Sequence, residues 1–263
     1  MIEIDIEFVK AIALEAGQNA LGMLGDIEPE FKADNSYVTH IDRQTEKFIQ
    51  ARLSEKYPDY AFQGEEYGRF GSEAGPLWAV DPIDGTTNMV FGLPIWGVSI
   101  GLIAEGKAVA GVFYIPRTGE MFWGEIGKGS YCNGVRLEVR DRDDLHHEDT
   151  LGFTSTAIKT LDVSALTGRI RCLGSIAAEV AYTANGSFCS HVGINEGIND
   201  LAAVLCIAHE AGCVSAYLTG EALNIPEIVH EGKTRAAFVV APPRMAEYIQ
   251  SKVRPRPGAA EAV

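Results

Sequence analysis

The feature that most constrains this chain is an apolar run that ends in two acids. Residues 77–88 read Leu-Trp-Ala-Val-Asp81-Pro82-Ile83-Asp84-Gly85-Thr86-Thr87-Asn88. Residues 77–80 have the pattern of a strand buried in a sheet. Pro82 fixes its own φ and donates no hydrogen bond, so a turn is expected directly after Asp81. That turn aims Asp81, Asp84 and the Ile83 carbonyl into one space. Carboxylates and a carbonyl are hard oxygen ligands, suited to Mg²⁺ or Mn²⁺. Without a cation the two carboxylates would repel, and one would take up a proton.

The next residues, Gly85-Thr86-Thr87, open a helix. Free backbone N–H groups at a helix start form an anion site. Gly85 allows close approach, and the Thr86 hydroxyl can reach a water or a phosphate oxygen. The order of strand, metal ligands and anion-binding turn puts metal and phosphate side by side.

Other acids fit the same picture without demanding it. Glu65 follows Gly64 after the short apolar stretch 60–62, with one of Glu65 and Glu66 expected inward. Asp42 sits three residues after Thr39, where a helix starts; read alone, it is a first-turn acid that suits the helix dipole. Asp200 precedes Leu-Ala-Ala and can be a helix N-cap, with its second oxygen free for a metal. The small Ala202-Ala203 pair would let that helix pack closely.

The remaining pattern gives helices over 5–23 and from 39 to just before Pro58. Strands are expected at 96–104, 108–115 and 121–123, then a strand at 151–154, helices at 175–184 and 201–211, and a late strand at 236–240. Trp96 reads as core. This predicts an α/β class, with a mostly antiparallel α+β first half (1–145) and an α/β second half (146–252). The charged run 141–149 separates them. The Pro- and Ala-rich segment 253–263 is expected to be a disordered tail of one compact unit.

Composition limits the alternatives. The chain has 263 residues, is 46% hydrophobic and carries a formal charge of -14. That supports a large core and argues against nucleic-acid binding, which needs a basic footprint. No apolar run is long enough to cross a membrane, and the acidic start resembles no export signal. The five scattered cysteines read as reduced thiols in a cytoplasmic protein.

Taken in order, Glu65 in Gly-Glu-Glu, Asp81-Pro-Ile-Asp84-Gly-Thr86-Thr and Asp200-Leu-Ala-Ala resemble the motifs of the inositol monophosphatases. Lys32, Val38-Thr39-His-Ile-Asp42, Gly174-Ser175 and Glu210-Ala-Gly are similar too, over residues 5–250. The resemblance implies a layered αβαβα sugar-phosphatase fold, a homodimer and inhibition by lithium. It implies two or three Mg²⁺ ions, the first on Glu65, Asp81 and the Ile83 carbonyl, the second on Asp81, Asp84 and Asp200. Asp42 and Thr86, with Glu65, would orient and activate the attacking water, and the Gly85 and Thr86 amides would bind phosphate. Substrate contacts are expected around Gly174, Ser175 and Gly193.

Two positions depart from the family pattern. Asn199 stands where Trp is usual before the late Asp, and Gly193 stands where inositol-specific members carry Glu. Gly186-Ser-Phe-Cys189 likewise replaces a Gly-x-x-Asp element. The expected reaction is hydrolysis of a small phosphate monoester. Inositol 1-phosphate or a related polyol or sugar phosphate leads, ahead of histidinol phosphate and fructose 1,6-bisphosphate. The non-enzymatic alternative is a cation- or phosphometabolite-binding protein.

Overall fold

The structure is a computed structural model that describes residues 4–33, 35–72 and 75–256. Asp5 caps α1 (Ile6–Gly22) by accepting the Phe8 N–H. A short hairpin of β1 (Glu30–Phe31) and β2 (Tyr37–Val38) leads into α2 (His40–Lys56), capped by Thr39. Then follow β3 (Ala61–Gly64), β4 (Gly68–Phe70), β5 (Leu77–Asp84) and the short α3 (Thr86–Val90). A meander completes this half: β6 (Gly97–Ala104), β7 (Lys107–Ile115), β8 (Glu120–Glu125), β9 (Gly129–Cys132) and β10 (Val135–Arg136).

These strands form one eight-stranded sheet in the order β10-β9-β8-β7-β6-β5-β3-β4. Every pair is antiparallel except β3 with β5. β5 and β6 are buried along their whole length, because helices cover both faces. On one face, Val9, Ile12, Ala16, Ile49 and Leu53 of α1 and α2 pack against Trp78, Val80, Val98, Ile100 and Val112.

The second half supplies β11 (Thr150–Phe153), α4 (Ser155–Thr160), β12 (Leu161–Asp162), β13 (Arg169–Arg171), α5 (Ile176–Ala184) and β14 (Ser190–Gly193). After them come α6 (Ile198–Glu210), β15 (Val214–Tyr217), α7 (Ile225–Glu231), β16 (Phe238–Ala241), α8 (Pro243–Lys252) and β17 (Arg254–Pro255). A five-stranded mixed sheet runs β13-β11-β14-β16-β15. The apolar helices α5 and α6 lie between the two sheets, and α8 covers the far face of the small one. The layers are therefore αβαβα, as the resemblance implied.

α6 comes unusually close to the large sheet. A Cβ on Gly101 would meet the Ala203 nitrogen at 2.5 Å and the Ala202 Cβ at 2.6 Å; one on Gly111 would meet the Ala203 Cα and carbonyl carbon at 2.6 Å. Glycine on the sheet and alanine on the helix let the two backbones touch, which fixes where the start of α6 lies.

Three expectations are corrected. The chain does not leave the sheet at Asp81: β5 runs on to Asp84, with an irregular register against β6 between the two acids. Asp200 is not the N-cap of its helix. α6 begins at Ile198 after Gly197, and Asp200 in the first turn accepts the Gly197 N–H at 3.1 Å. Disorder does not begin at Val253. That side chain is buried in the outer core, and Arg254–Pro255 pairs with Leu161–Asp162; residues 257–263 lie outside the described residues.

Candidate active site

The end of β5, the start of α6 and the start of α5 meet at one point. One carboxylate oxygen each from Asp81, Asp84 and Asp200 lies within 4.8 Å of the others. Asp81 and Asp84 are 3% and 4% exposed. Asp81 reaches its place by an Asx-type turn, its Oδ1 accepting the Ile83 N–H at 2.9 Å. Asp84 is held by the Ser175 hydroxyl, the Ala177 N–H at 2.9 Å and the Ile176 N–H at 3.3 Å, all at the start of α5.

Such a cluster carries an electrostatic cost. Burial, together with the charges of Glu65, Asp200 and Asp84, holds the Asp81 carboxyl well above its ordinary range. Burial pushes Asp84 up to about 6, against the Ser175 and amide hydrogen bonds that stabilise its charge. Burial, with Glu65 and Asp84 nearby, pushes Asp200 up to about 7. Three converging oxygen donors that resist ionisation by themselves, two of them buried and Asp200 partly so, are the donor set a hard divalent cation relieves. The residues fit a metal site.

Asp42 serves two structures at once. Its Oδ2 accepts the Thr39 N–H at 2.9 Å and the Thr39 hydroxyl at 2.6 Å, which closes a capping box at the start of α2. Its Oδ1 accepts the Thr86 hydroxyl at 2.7 Å. That hydroxyl also lies 3.0 Å from the Ile83 carbonyl, so one hydrogen has two acceptors, with the shorter bond to Asp42. Gly85 turns the chain into α3 at φ 91°, where a Cβ would meet the Ile95 carbonyl at 3.2 Å.

Glu65 stands at the rim, bonded to Lys32 Nζ at 2.7 Å, while Glu66 holds the same amine at 2.6 Å. Glu66 is the inward acid of the expected pair, its side chain 6% exposed, and Glu65 the outward one at 36%; the two share one lysine. The turn that carries them is anchored by Glu46, whose carboxylate accepts the Glu66 N–H at 2.7 Å and the Tyr67 N–H at 2.9 Å. An acid on the apolar face of α2 was the signal for this anchor.

The expected substrate contacts divide. Gly174 is exposed, at φ 76°, against the Asn88 side chain. Ser175 is buried, caps α5 and holds Asp84, so its side chain serves the acid cluster. Gly193 is sealed inside β14, where a Cβ would meet the Phe238 ring at 2.6 Å and His191 Nε2 at 3.0 Å. The structure gives no open pocket to a side chain there. Trp96 is core, fully buried.

Two further residues belong to the surroundings of the site. Asn88 Nδ2 donates to the Ile95 carbonyl at 2.6 Å and the Leu173 carbonyl at 2.7 Å, tying the loop before β6 to the turn before α5. Glu196, four residues before Asp200, is pushed up to about 8 by burial and by the charges of Asp200 and Asp84. Its neighbourhood is a tertiary fact, with no spacing rule behind it.

The arrangement, a strand-end acid pair closed by a helix from the other half, defines a class of metal-dependent phosphatases. The inositol monophosphatase family model matches residues 1–255. The chain is 31% identical over 247 residues to a fructose-1,6-bisphosphatase/inositol-1-monophosphatase of Aquifex aeolicus, covering 89% of this chain and 93% of the relative. It is 34% identical over 219 residues to an inositol-1-monophosphatase of Mesorhizobium japonicum, covering 76% and 80%. The extragenic suppressor protein suhB of Bartonella henselae shares the fold at a TM-score of 0.82 with 27% identity, over 94% of this chain and 97% of that one. The chain belongs to the inositol monophosphatase family. It is a phosphoric monoester hydrolase.

Proposed function

We propose that this chain hydrolyses small polyol or sugar phosphate monoesters with Mg²⁺, inositol 1-phosphate being the lead substrate. The observation that carries this reading is the convergence of Asp81, Asp84 and Asp200, with oxygens within 4.8 Å, beside the Asp42–Thr86 hydrogen bond. Asp81, Asp84 and Asp200 would hold one ion. Glu65, Asp81 and the Ile83 carbonyl would hold another. A bound divalent ion supplies neutralisation of phosphoryl charge and a more acidic water.

The chain's own groups do the rest. The Thr86 hydroxyl already points its hydrogen at Asp42, so its lone pairs are open to a water proton. Asp42, raised above the ordinary carboxylate range by burial and restrained by Thr39 and Thr86, is suited to receive one. The Gly85 and Thr86 amides, at the N-cap and the first position of α3, have no helical acceptor and would bind phosphate oxygens.

For the leaving group, Gly193 offers no side chain, and Glu196 is the acid beside Asp84 and Asp200 outside the metal set. This keeps histidinol phosphate and fructose 1,6-bisphosphate as alternatives within the same reaction. Homodimer formation and lithium inhibition belong to the same reading. The test is phosphate release from inositol 1-phosphate, histidinol phosphate, fructose 1,6-bisphosphate and a 3'-phosphonucleotide, with Mg²⁺ and with EDTA. Mg²⁺-dependent release, highest for the polyol ester, is expected. A preference for another ester by kcat/KM would replace the lead substrate, and no release from any would refute the reaction.

A further inference from the structure

Behind the acid cluster, between α5 and the small sheet, two ionisable side chains are sealed in the core. Glu179 and His191 are 1% and 0% exposed. His191 Nδ1 lies 2.9 Å from Glu179 Oε2, and Glu179 Oε1 accepts the Leu173 N–H at 2.6 Å. Burying such a pair costs desolvation, and an apolar pair of the same size would often serve stability as well. The pair also takes up room: His191 Nε2 occupies the space that a side chain on Gly193 would need.

What the pair touches gives it a use. Glu179 lies one turn into α5 and reaches back past the helix N-cap to Leu173. The Leu173 carbonyl accepts Asn88 Nδ2 at 2.7 Å. Two residues on, the Ser175 hydroxyl donates to Asp84, followed by the Ile176 and Ala177 amides. The turn over 173–175 is thus pinned at its back by Glu179 and at its front by Asn88 and Asp84. Every described donor to Asp84 comes from this turn or the amides just after it.

We propose that Glu179, oriented by His191, is a positioning residue for Asp84. It holds the 173–175 turn so that Ser175 and the first amides of α5 aim the Asp84 carboxylate at the cation. The inference rests on the metal-phosphatase reading for what that cation does. Groups held behind metal ligands commonly change metal affinity by about 10- to 100-fold when removed; Glu179 acts through one intervening turn, so about tenfold is expected.

The test is a Mn²⁺ titration followed by EPR on the full chain, with melting temperature in EDTA measured in parallel. Glu179→Ala is expected to weaken binding of one Mn²⁺ about tenfold. Glu179→Gln, which keeps an oxygen for the Leu173 N–H, is expected to restore it to within about threefold of wild type. Val239→Ala, on the opposite face of the small sheet, is the control: it should lower melting temperature and leave Mn²⁺ binding unchanged. Folded Glu179→Ala with wild-type Mn²⁺ binding overturns the proposal, as does equal weakening by Val239→Ala. If Glu179→Ala fails to fold, His191→Leu decides by the same criterion. Absence of phosphate release by wild type sinks the phosphatase reading alone, because the Mn²⁺ titration does not depend on turnover.

Discussion

Replacing Gly111 by alanine is expected to damage the site through the face of the sheet on which α6 packs. Gly111 lies on β7 under α6, and a Cβ there would stand 2.6 Å from the Ala203 Cα and carbonyl carbon. The neighbour is helix backbone, which cannot rotate away. The Ala203 carbonyl oxygen would stand closer still, and ordinary contact begins at 3.4 Å, so α6 must retreat by at least about 0.8 Å in an interior that is already close-packed. Asp200 is less than one turn from Ala203 on the same helix, so it moves with the displaced backbone. Overpacking of this kind costs about 1–3 kcal/mol, and each kcal/mol lowers the melting temperature of a chain this size by about 2–4 °C. A 1 Å misplacement in a catalytic set can cost about 100-fold; a rise of at least about tenfold in the Mg²⁺ concentration for half-maximal phosphate release is expected here. Gly22→Ala is the control, since nothing lies within 4 Å of its added methyl. A Gly111→Ala protein with wild-type Mg²⁺ dependence would refute the claim that this glycine floor sets the position of Asp200.

Other outcomes follow from the same geometry. Asp84→Asn should cut Mg²⁺-dependent turnover by more than about 100-fold while raising the melting temperature in EDTA, because one buried charge is removed from a repelling cluster; a lower melting temperature in EDTA would contradict the repulsion. Asp84, Asp200 and Glu196 are raised to about 6, about 7 and about 8, so the folded metal-free chain holds more protons than the unfolded one. Their stabilising contribution is complete below the ordinary carboxylate range and is lost as pH rises through about 6 to about 8. Melting temperature in EDTA should therefore fall over that window and the shift produced by Mg²⁺ should grow; a flat EDTA profile would count against it. Asn88→Asp faces a carboxylate with the Ile95 and Leu173 carbonyls, and should cost about 2–4 kcal/mol in urea unfolding from two lost donors. Glu196→Gln should change KM for the preferred ester more than kcat; an unchanged KM would remove Glu196 from the leaving-group side.

Much of the site was legible because its local parts are short-range. The string from Asp81 to Thr86 joins two acids, a carbonyl, a left-handed glycine and a helix start within six residues, and no long-range contact is needed to see it. Asp42 was readable as a first-turn acid after Thr39; that its other oxygen takes the Thr86 hydroxyl, 44 residues away, was not. Asn88, Glu179 and Glu196 were invisible for the same reason. Each is an ordinary polar residue in its own segment and gains meaning only from a backbone group or charge brought there by another part of the chain.

The sequence by itself determined the class of chemistry and the ordering of strands and helices, because hydrophobic period, cap residues and hard oxygen ligands act over a few positions. It placed Asp200 at the start of an apolar helix, and it placed Ala202 and Ala203 on that helix as small residues. Only the tertiary structure decided that β5 carries both acids to its end, that Gly101 and Gly111 let α6 touch the sheet, and that Gly193 is filled from behind by Phe238 and His191. Those outcomes depend on distances between backbones from different halves of the chain. Close packing in three dimensions sets those distances, and no spacing along one segment encodes them.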